Sequence, residues 1–205
     1  MALIKSALEI AMEKTQGMKA DPAALQAHEA RQEGQKLAGE YLNAPESMDL
    51  GKRISAVPKE KRDIVRSAVF GVLSSRLQLP VTKNGLSAEV QDALAKGFAA
   101  LASAPFSEKR ISELVRQIGD FLSRYLDDVG KLDAALRKQY APKLQRKEQE
   151  LAARTGQSVR LDPLSDPEFV NIYQQNVGQL KAQYQAALDQ AKTDLAQLLG
   201  IAEKE

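Results

Sequence analysis

The residue types that most often carry catalysis are scarce in this sequence. It has no cysteine, and its only histidine is His28. A zinc hydrolase helix needs a second histidine four residues after the first, where this chain has Gln32. His28 could still bind a metal ion together with Glu29 and Glu33, but a polar helix face in water explains these residues better. Without cysteine and with one imidazole, thiolate chemistry is excluded and nucleophilic triads lack their usual base.

Other catalytic and cofactor-binding patterns are also missing. The sequence has no glycine-rich phosphate loop, no Gly-x-Ser-x-Gly elbow and no dinucleotide fingerprint after a strand. Neighbouring carboxylates occur, at Asp127 with Asp128 and at Glu148 with Glu150, but solvation of helix surfaces accounts for them. The sequence therefore predicts a protein that is not an enzyme and that has no metal site and no cofactor.

Lysine and arginine are concentrated in two groups, which makes nucleic-acid binding an alternative to a purely protein-binding role. Residues 131–160 carry eight Lys/Arg and three Asp/Glu, whereas residues 161–205 carry three and seven. The acidic stretch can pair with the basic one, and no nucleic-acid-binding module has its signature here, so this alternative is less favoured. The first basic group is Arg137, Lys138, Lys143, Arg146 and Lys147 around Tyr140, and the second is Lys59, Lys61, Arg62 and Arg66.

The composition predicts an all-α protein. The chain has 12 Gly and 8 Pro in 205 residues, has no tryptophan, and is rich in the strong helix formers Ala, Leu, Gln, Lys and Glu. Hydrophobic residues make up 43% of the chain but aromatic residues only 5%, which indicates a folded protein with an aliphatic core.

The longest helical pattern runs from Asp166 to Gly200. Asp166 and Pro167 are typical of a helix start, and Gly200 is typical of a helix end. The apolar residues between them repeat every eleven positions, which is 3.67 residues per turn and keeps them on one side of a nearly straight helix. The three series are Phe169, Leu180 and Ala191; Tyr173, Tyr184 and Leu195; and Val177, Leu188 and Leu199.

A second long helix shares this period and is the predicted partner. Val129, Tyr140 and Leu151 are eleven residues apart, and Gly156 ends this helix. A short connection favours antiparallel pairing, so we predict a helical bundle at 1–128 and a long, coiled-coil-like antiparallel hairpin at 129–205. Ordinary amphipathicity within a bundle remains an alternative to a protruding hairpin. The predicted hairpin seam consists of Tyr140, Leu144, Leu151, Phe169, Tyr173, Val177, Leu180, Tyr184, Leu188 and Leu195.

Two other segments of the predicted bundle bear on function. Residues 2–15 form an amphipathic helix whose apolar face, Ile4, Leu8 and Met12, is a candidate for contact with a partner or a second copy. The helix from Asp21 to Leu42 has almost no apolar stripe between residues 26 and 36. That helix is therefore either exposed in its middle or touches its neighbour through small residues.

The sequence also restricts localisation. The N-terminus lacks the basic region and apolar run of a signal peptide, because Glu9 interrupts the apolar residues. No segment approaches the ~20 apolar residues of a membrane span. We therefore expect a cytoplasmic protein.

Two resemblances supplement these patterns. The opening Met1-Ala2-Leu3-Ile4-Lys5-Ser6-Ala7-Leu8-Glu9 and the segment Gln139-Tyr140-Ala141-Pro142-Lys143-Leu144 resemble an uncharacterised bacterial all-helical family, which implies a helical fold and no assigned activity. The eleven-residue period is similar to that of the peripheral stalks of rotary ATPases, although their globular α/β end has no counterpart here.

The most favoured hypothesis is an adaptor or scaffold that binds another protein, or a second copy of itself, through long amphipathic helices. The alternatives are binding to the backbone of RNA or DNA through the basic groups, and a role as a stalk-like subunit of a larger assembly. A homo-oligomer is compatible with the first hypothesis.

Overall fold

The computed structural model describes residues 22–82, 87–102 and 107–201. These ranges contain six α-helices and one short 3-10 helix but no β-strand, which confirms the predicted all-α fold. None of these helices is both long and apolar enough to cross a bilayer. The predicted helix at 2–15, with Ile4, Leu8 and Met12, lies outside the described residues. The helices are α1 (Pro22–Asn43), α2 (Leu50–Ala56), α3 (Lys59–Ser74), α4 (Ala88–Ala99), α5 (Ser107–Thr155) and α6 (Pro167–Leu198), and the 3-10 helix is Pro163–Ser165.

The chain divides into two compact units, an N-terminal unit (Met1–Val72) and a C-terminal unit (Leu73–Glu205). We predicted a boundary between residues 128 and 129. That position lies inside α5, which is a single helix of 49 residues. Gly130 is exposed and does not end α5, because one glycine costs a helix only about 1 kcal/mol relative to alanine. Pro142 also lies within α5, on its exposed side, where water can bind the carbonyl that lacks a helical donor.

Small residues bring α1 and α3 together in the N-terminal unit. Ala30, Gly34 and Ala38 are buried although they carry little or no side chain. A Cβ atom added to Gly34 would lie 2.6 Å from the carbonyl oxygen of Val65 and 2.7 Å from the Cβ of Ala68. This close approach explains why the middle of α1 has no stripe of large apolar residues.

In the C-terminal unit, α5 packs against α4 and against α6. Its first half is well buried, through Ile111, Val115, Ile118, Leu122 and Tyr125. Leu94 and Phe98 on α4 are fully buried too. The aliphatic side chains that the composition predicted thus form much of this core.

Two hydrogen bonds fix the relative direction of α5 and α6. The hydroxyl of Tyr140 donates to Asp166 at 2.8 Å, and the hydroxyl of Tyr184 donates to Asp128 at 2.7 Å. Since the later residue of α5 contacts the earlier part of α6, the two helices are antiparallel. They are joined by residues 156–166, called the connector below, which begins at Gly156 with a φ of 69°. A positive φ at this position is typical of a glycine that ends a helix.

Candidate interaction surface on the long helices

The predicted hairpin seam is buried at both ends and only partly buried in the middle. Phe169 and Leu188 are 1% and 0% exposed, and every α6 residue between them is half-buried or exposed. Two helices lying side by side can bury only one strip of each other, so residues at the flanks stay in contact with water. Tyr140, Leu144, Phe169, Leu188 and Leu195 are buried, whereas Leu151, Tyr173, Val177, Leu180 and Tyr184 are half-buried.

The end of the helix pair nearest the connector has its own apolar cluster. The ring of Phe169 lies 5.2 Å from that of Tyr140 and 6.0 Å from that of Tyr173, measured between centroids. The guanidinium of Arg137 lies 5.9 Å from the centre of the Phe169 ring. The cluster is formed by Leu136, Tyr140, Leu144 and Phe169, with Leu132, Leu161, Ile172 and Tyr173 packed against it.

A polar network centred on Asp166 adjoins this cluster. One carboxylate oxygen of Asp166 caps α6 by accepting the backbone N–H of Glu168 at 3.1 Å. The other accepts hydrogen bonds from the hydroxyl of Tyr140 and the ammonium of Lys147. Lys143 pairs with the carboxylate of Glu168. Asp166 therefore both starts α6 and ties it to α5.

These contacts favour the charged forms of Asp166, Glu168 and Lys147. Hydrogen bonds from Lys147 and Tyr140 lower the pKa of Asp166 below its ordinary value. The hydrogen bond from Lys143 lowers the pKa of Glu168, and the hydrogen bond to Asp166 raises the pKa of Lys147. Burial, followed by the hydrogen bond to Asp166, raises the pKa of the Tyr140 hydroxyl. Asp166, Glu168 and Lys147 are thus charged at neutral pH, and the phenol of Tyr140 between them is neutral.

The network predicts a defined response to acid. Because the pKa of Asp166 is lowered in the folded protein, its contribution is complete above the ordinary value of 3.8 and is lost as the pH falls below it. Asp166→Asn keeps a residue that caps helices well but removes the charge. We expect the wild type to unfold at a higher temperature than this variant at about pH 6, and the difference to shrink by about pH 2.5. A difference that stays constant over this range in thermal unfolding would contradict the assignment.

A second polar contact lies at the other end of the helix pair. The ring of Tyr184 lies 4.7 Å from that of Phe121 and 5.1 Å from that of Tyr125. Its hydroxyl reaches Asp128, whose pKa is lowered chiefly by this hydrogen bond. From the sequence we explain Asp128 by solvation of a helix surface. Its hydrogen bond to Tyr184 is revealed only by the packing of α6 on α5.

A family model described as a family of unknown function (DUF6657) matches residues 51–197, most of the chain. The chain belongs to this family. The DUF6657 match confirms the resemblance to an uncharacterised helical family without assigned activity. It includes both polar contacts between α5 and α6, and it leaves out α1. No curated protein and no solved structure matches the chain.

Ion pairs within the protein engage much of the first basic group of this DUF6657 member. Lys143 and Lys147 contact Glu168 and Asp166, as described above. Arg137 pairs with Asp133 at 3.0 Å. The other two members of the group, Lys138 and Arg146, are exposed and have no ion pair among the described residues.

The second basic group is engaged in a similar way. Lys61 lies 3.6 Å from the carboxylate of Glu29, and Arg66 lies 3.5 Å from that of Asp63. Arg62 donates from its guanidinium to the backbone carbonyls of Ser55 and Val57, at 2.7 and 2.9 Å. Its charge lies at the C-terminus of α2, where a cation is favourable. Lys59 is exposed.

Two further places have residue types or a shape that suits a ligand. His28 is exposed and forms a hydrogen bond to Gln32 at 3.0 Å, and the described residues contain no group of three or more metal-binding side chains. An open groove of about 680 Å³ lies between α4 and α5. Lys109 and Asp92 line it, together with the ion pair of Glu113 and Arg116. Charges of both signs alternate there, so the groove selects neither anions nor cations.

Proposed function

We propose that this chain is a non-enzymatic, cytoplasmic adaptor or scaffold that binds another protein through α5 and α6. The half-buried middle of the seam is the observation that carries this proposal. After Tyr125, the buried residues of α5 are Leu136, Tyr140 and Leu144. A further helix laid along α5 and α6 would cover the flanks of the seam and remove more apolar surface from water.

The length of α5 supports the same proposal. At a rise of ~1.5 Å per residue, 49 residues span about 74 Å, several times the length of a typical helix in a globular protein. Only the first half of this helix is needed to form a core with α4. The second half carries apolar residues at helical spacing between many charged ones, and it extends the surface available to another helix.

Nucleic-acid binding has less support, because the charge available to phosphates is small. The side chains of Lys143, Lys147 and Arg137 already face carboxylates. Moving Lys143 and Lys147 to phosphates would leave Asp166 and Glu168 without a cationic partner. A mobility-shift titration at low salt is expected to show no retardation of DNA or RNA at micromolar protein.

Site-specific photo-crosslinking of the full chain in its native host tests the adaptor proposal. A crosslinking residue at Gln174 lies beside the seam, one residue from Tyr173. At Gln175 it lies on the far side of α6, since the two residues from Tyr173 turn the helix by about 200°. We expect one other protein to be captured from Gln174 and little from Gln175. Equal capture at both positions, or none from Gln174, would argue against the proposal.

Self-association through the predicted N-terminal helix is tested separately. Ile4, Leu8 and Met12 form an apolar face in the sequence, and their contacts lie outside the described residues. If this face joins two copies, deletion of residues 1–15 lowers the molar mass measured by light scattering. An unchanged mass would reject self-association through this segment.

A further inference from the structure

The connector is longer than the reversal of the chain requires. It spans eleven residues, 156–166, whereas connections between antiparallel helices commonly have about 2–8. Loops that a rigid scaffold holds in position often carry binding residues. The extra length of the connector therefore indicates a role beyond joining α5 to α6.

Hydrogen bonds hold residues 161–166 of this connector in place. The backbone N–H of Leu161 donates to the carboxylate of Glu148 on α5 at 2.7 Å. Asp162 accepts the N–H of Leu164 at 3.0 Å and so starts the 3-10 helix. Asp166 then caps α6. The side chain of Leu161 packs against the apolar cluster of α5 and α6, which anchors the middle of the connector to these helices.

Two apolar side chains of the same connector point into water. Val159 is 37% exposed and Leu164 is 49% exposed, on either side of the inward-facing Leu161. Single exposed aliphatic residues are common on protein surfaces. Here Leu164 lies in the part of the connector that hydrogen bonds hold, and Val159 lies two residues before the anchored Leu161, so a partner that buried them would lose little conformational entropy.

Two exposed arginines lie in the chain near these side chains. Arg154 in the last turn of α5 and Arg160 in the connector are exposed and have no ion pair among the described residues. Of the acidic groups nearby, Asp166 pairs with Lys147 and Asp162 accepts a backbone N–H, while Glu150 is exposed one turn before Arg154. Arg160, directly after Val159, is therefore the cation that this end of the helix pair presents beside its exposed aliphatic side chains.

We infer that the connector is the docking end of the proposed adaptor, and that Val159 and Leu164 enter an apolar cleft of a partner protein whose rim carries carboxylates. This inference rests on the proposed function and specifies its contact. Arg154 and Arg160 pair with the acidic rim. Such pairs set orientation and speed association, while the aliphatic side chains supply affinity.

Other occupants fit the connector less well. Basic segments that bind membranes carry about 4–8 Lys or Arg, and the connector with the last turn of α5 has two. It also lacks the tryptophan and phenylalanine that anchor such segments at the interface. Binding to single-stranded nucleic acid uses aromatic side chains on which bases stack, and none lies here. The test below also detects binding of the connector to a second copy of this chain.

The test uses the full-length chain and two peptide display libraries. One library combines Leu, Ile, Val and Phe with Asp and Glu, and the other replaces the acids with Lys and Arg. We expect enrichment from the acidic library only. The best peptide is then measured by fluorescence anisotropy, and the double variant Val159→Ser, Leu164→Ser is expected to bind at least about tenfold more weakly, since one buried valine or leucine contributes about a factor of ten.

Matched variants make the result specific to the connector. Val90→Ser removes a valine of α4 with a similar exposed fraction, 41%, and should leave the affinity unchanged. Arg160→Glu should weaken binding and Arg160→Lys should preserve most of it. Thermal unfolding of each variant shows whether the fold is intact, and the substituted side chains are all exposed.

Several outcomes would overturn the inference. In the peptide experiment, they are enrichment of the basic library, enrichment of neither library, or equal peptide affinity in the double variant. Binding to phosphatidylserine vesicles that the double variant loses would indicate a membrane instead of a protein. A change in molar mass caused by the double variant would indicate a second copy of this chain. The crosslinking experiment separates this inference from the proposed function. If a protein is captured from Gln174 but the connector variants have no effect, the adaptor proposal is retained and its partner binds at a surface other than the connector.

Discussion

Phe169→Ala is expected to lower the free energy of unfolding by about 3–5 kcal/mol, as is typical for a large aromatic side chain removed from a core. Phe169 is 1% exposed, and its ring contacts Tyr140 and Tyr173. Its loss leaves a cavity between α5 and α6 beside the Asp166 network. Chemical denaturation followed by circular dichroism measures the change.

The matched control for Phe169 is a residue of the same region that lies in water. Leu164→Ala removes an aliphatic side chain that is 49% exposed, and surface changes of this kind alter stability by about 0.5 kcal/mol or less. A loss below about 1 kcal/mol for Phe169→Ala would mean that α5 and α6 are not held together at this end.

Gly34→Val is expected to destabilise the N-terminal unit by about 3 kcal/mol, at the upper end of the range for overpacked sites. The new Cβ would meet the backbone of Val65 at 2.6 Å, and backbone cannot rotate away as a flexible side chain can. The helices α1 and α3 must then separate at their closest point. The change is measured by thermal and chemical denaturation.

A glycine in the same helix gives the opposite expectation. A Cβ at Gly39 would meet no atom within 4 Å, so Gly39→Ala is expected to stabilise α1 by about 0.5–1 kcal/mol through helix propensity. Gly34→Ala should lower stability, although the same propensity gain offsets part of the clash. If both alanine variants raise stability, α1 and α3 do not approach each other as described.

The sequence predicted the features that depend on local pattern. The helix start at Asp166 and Pro167 and the helix end at Gly156 follow from capping chemistry, and the shared apolar period identified α5 and α6 as partners. Their antiparallel direction followed because the connection is too short to carry the chain back along a helix of this length before the next helix begins. Each of these inferences uses residues close together in the chain or a repeat that can be counted.

The sequence could not predict the features that depend on register and on distant contacts. An eleven-residue period allows α6 to slide along α5 by a full repeat, so it does not indicate that Tyr140 meets Asp166 or that Tyr184 meets Asp128. The predicted division of the chain depended on a related question that the sequence left open. We placed a boundary near Gly130, but a glycine inside a helical pattern does not show whether the helix stops.

The sequence left two alternatives for the middle of α1, exposure to water or packing through small residues, and the close contact at Gly34 corresponds to the second. A weak apolar stripe is equally compatible with exposure and with packing through small residues, because both situations use Ala and Gly. What distinguishes them is the neighbouring surface. Val65 and Ala68 lie on α3, far along the chain, and no local pattern in α1 indicates them.

The continuity of α5 sets a gradient of local stability along a single helix. Backbone amides near Ile111 and Tyr125 are covered by buried side chains, whereas those beyond Leu144 lie where α5 has no buried residue. Amide hydrogen exchange is therefore expected to slow from the connector end toward Ile111, with the fastest exchange in the last turns. A bound partner that covered the connector end would flatten this gradient, so exchange protection would report docking even before the partner is identified.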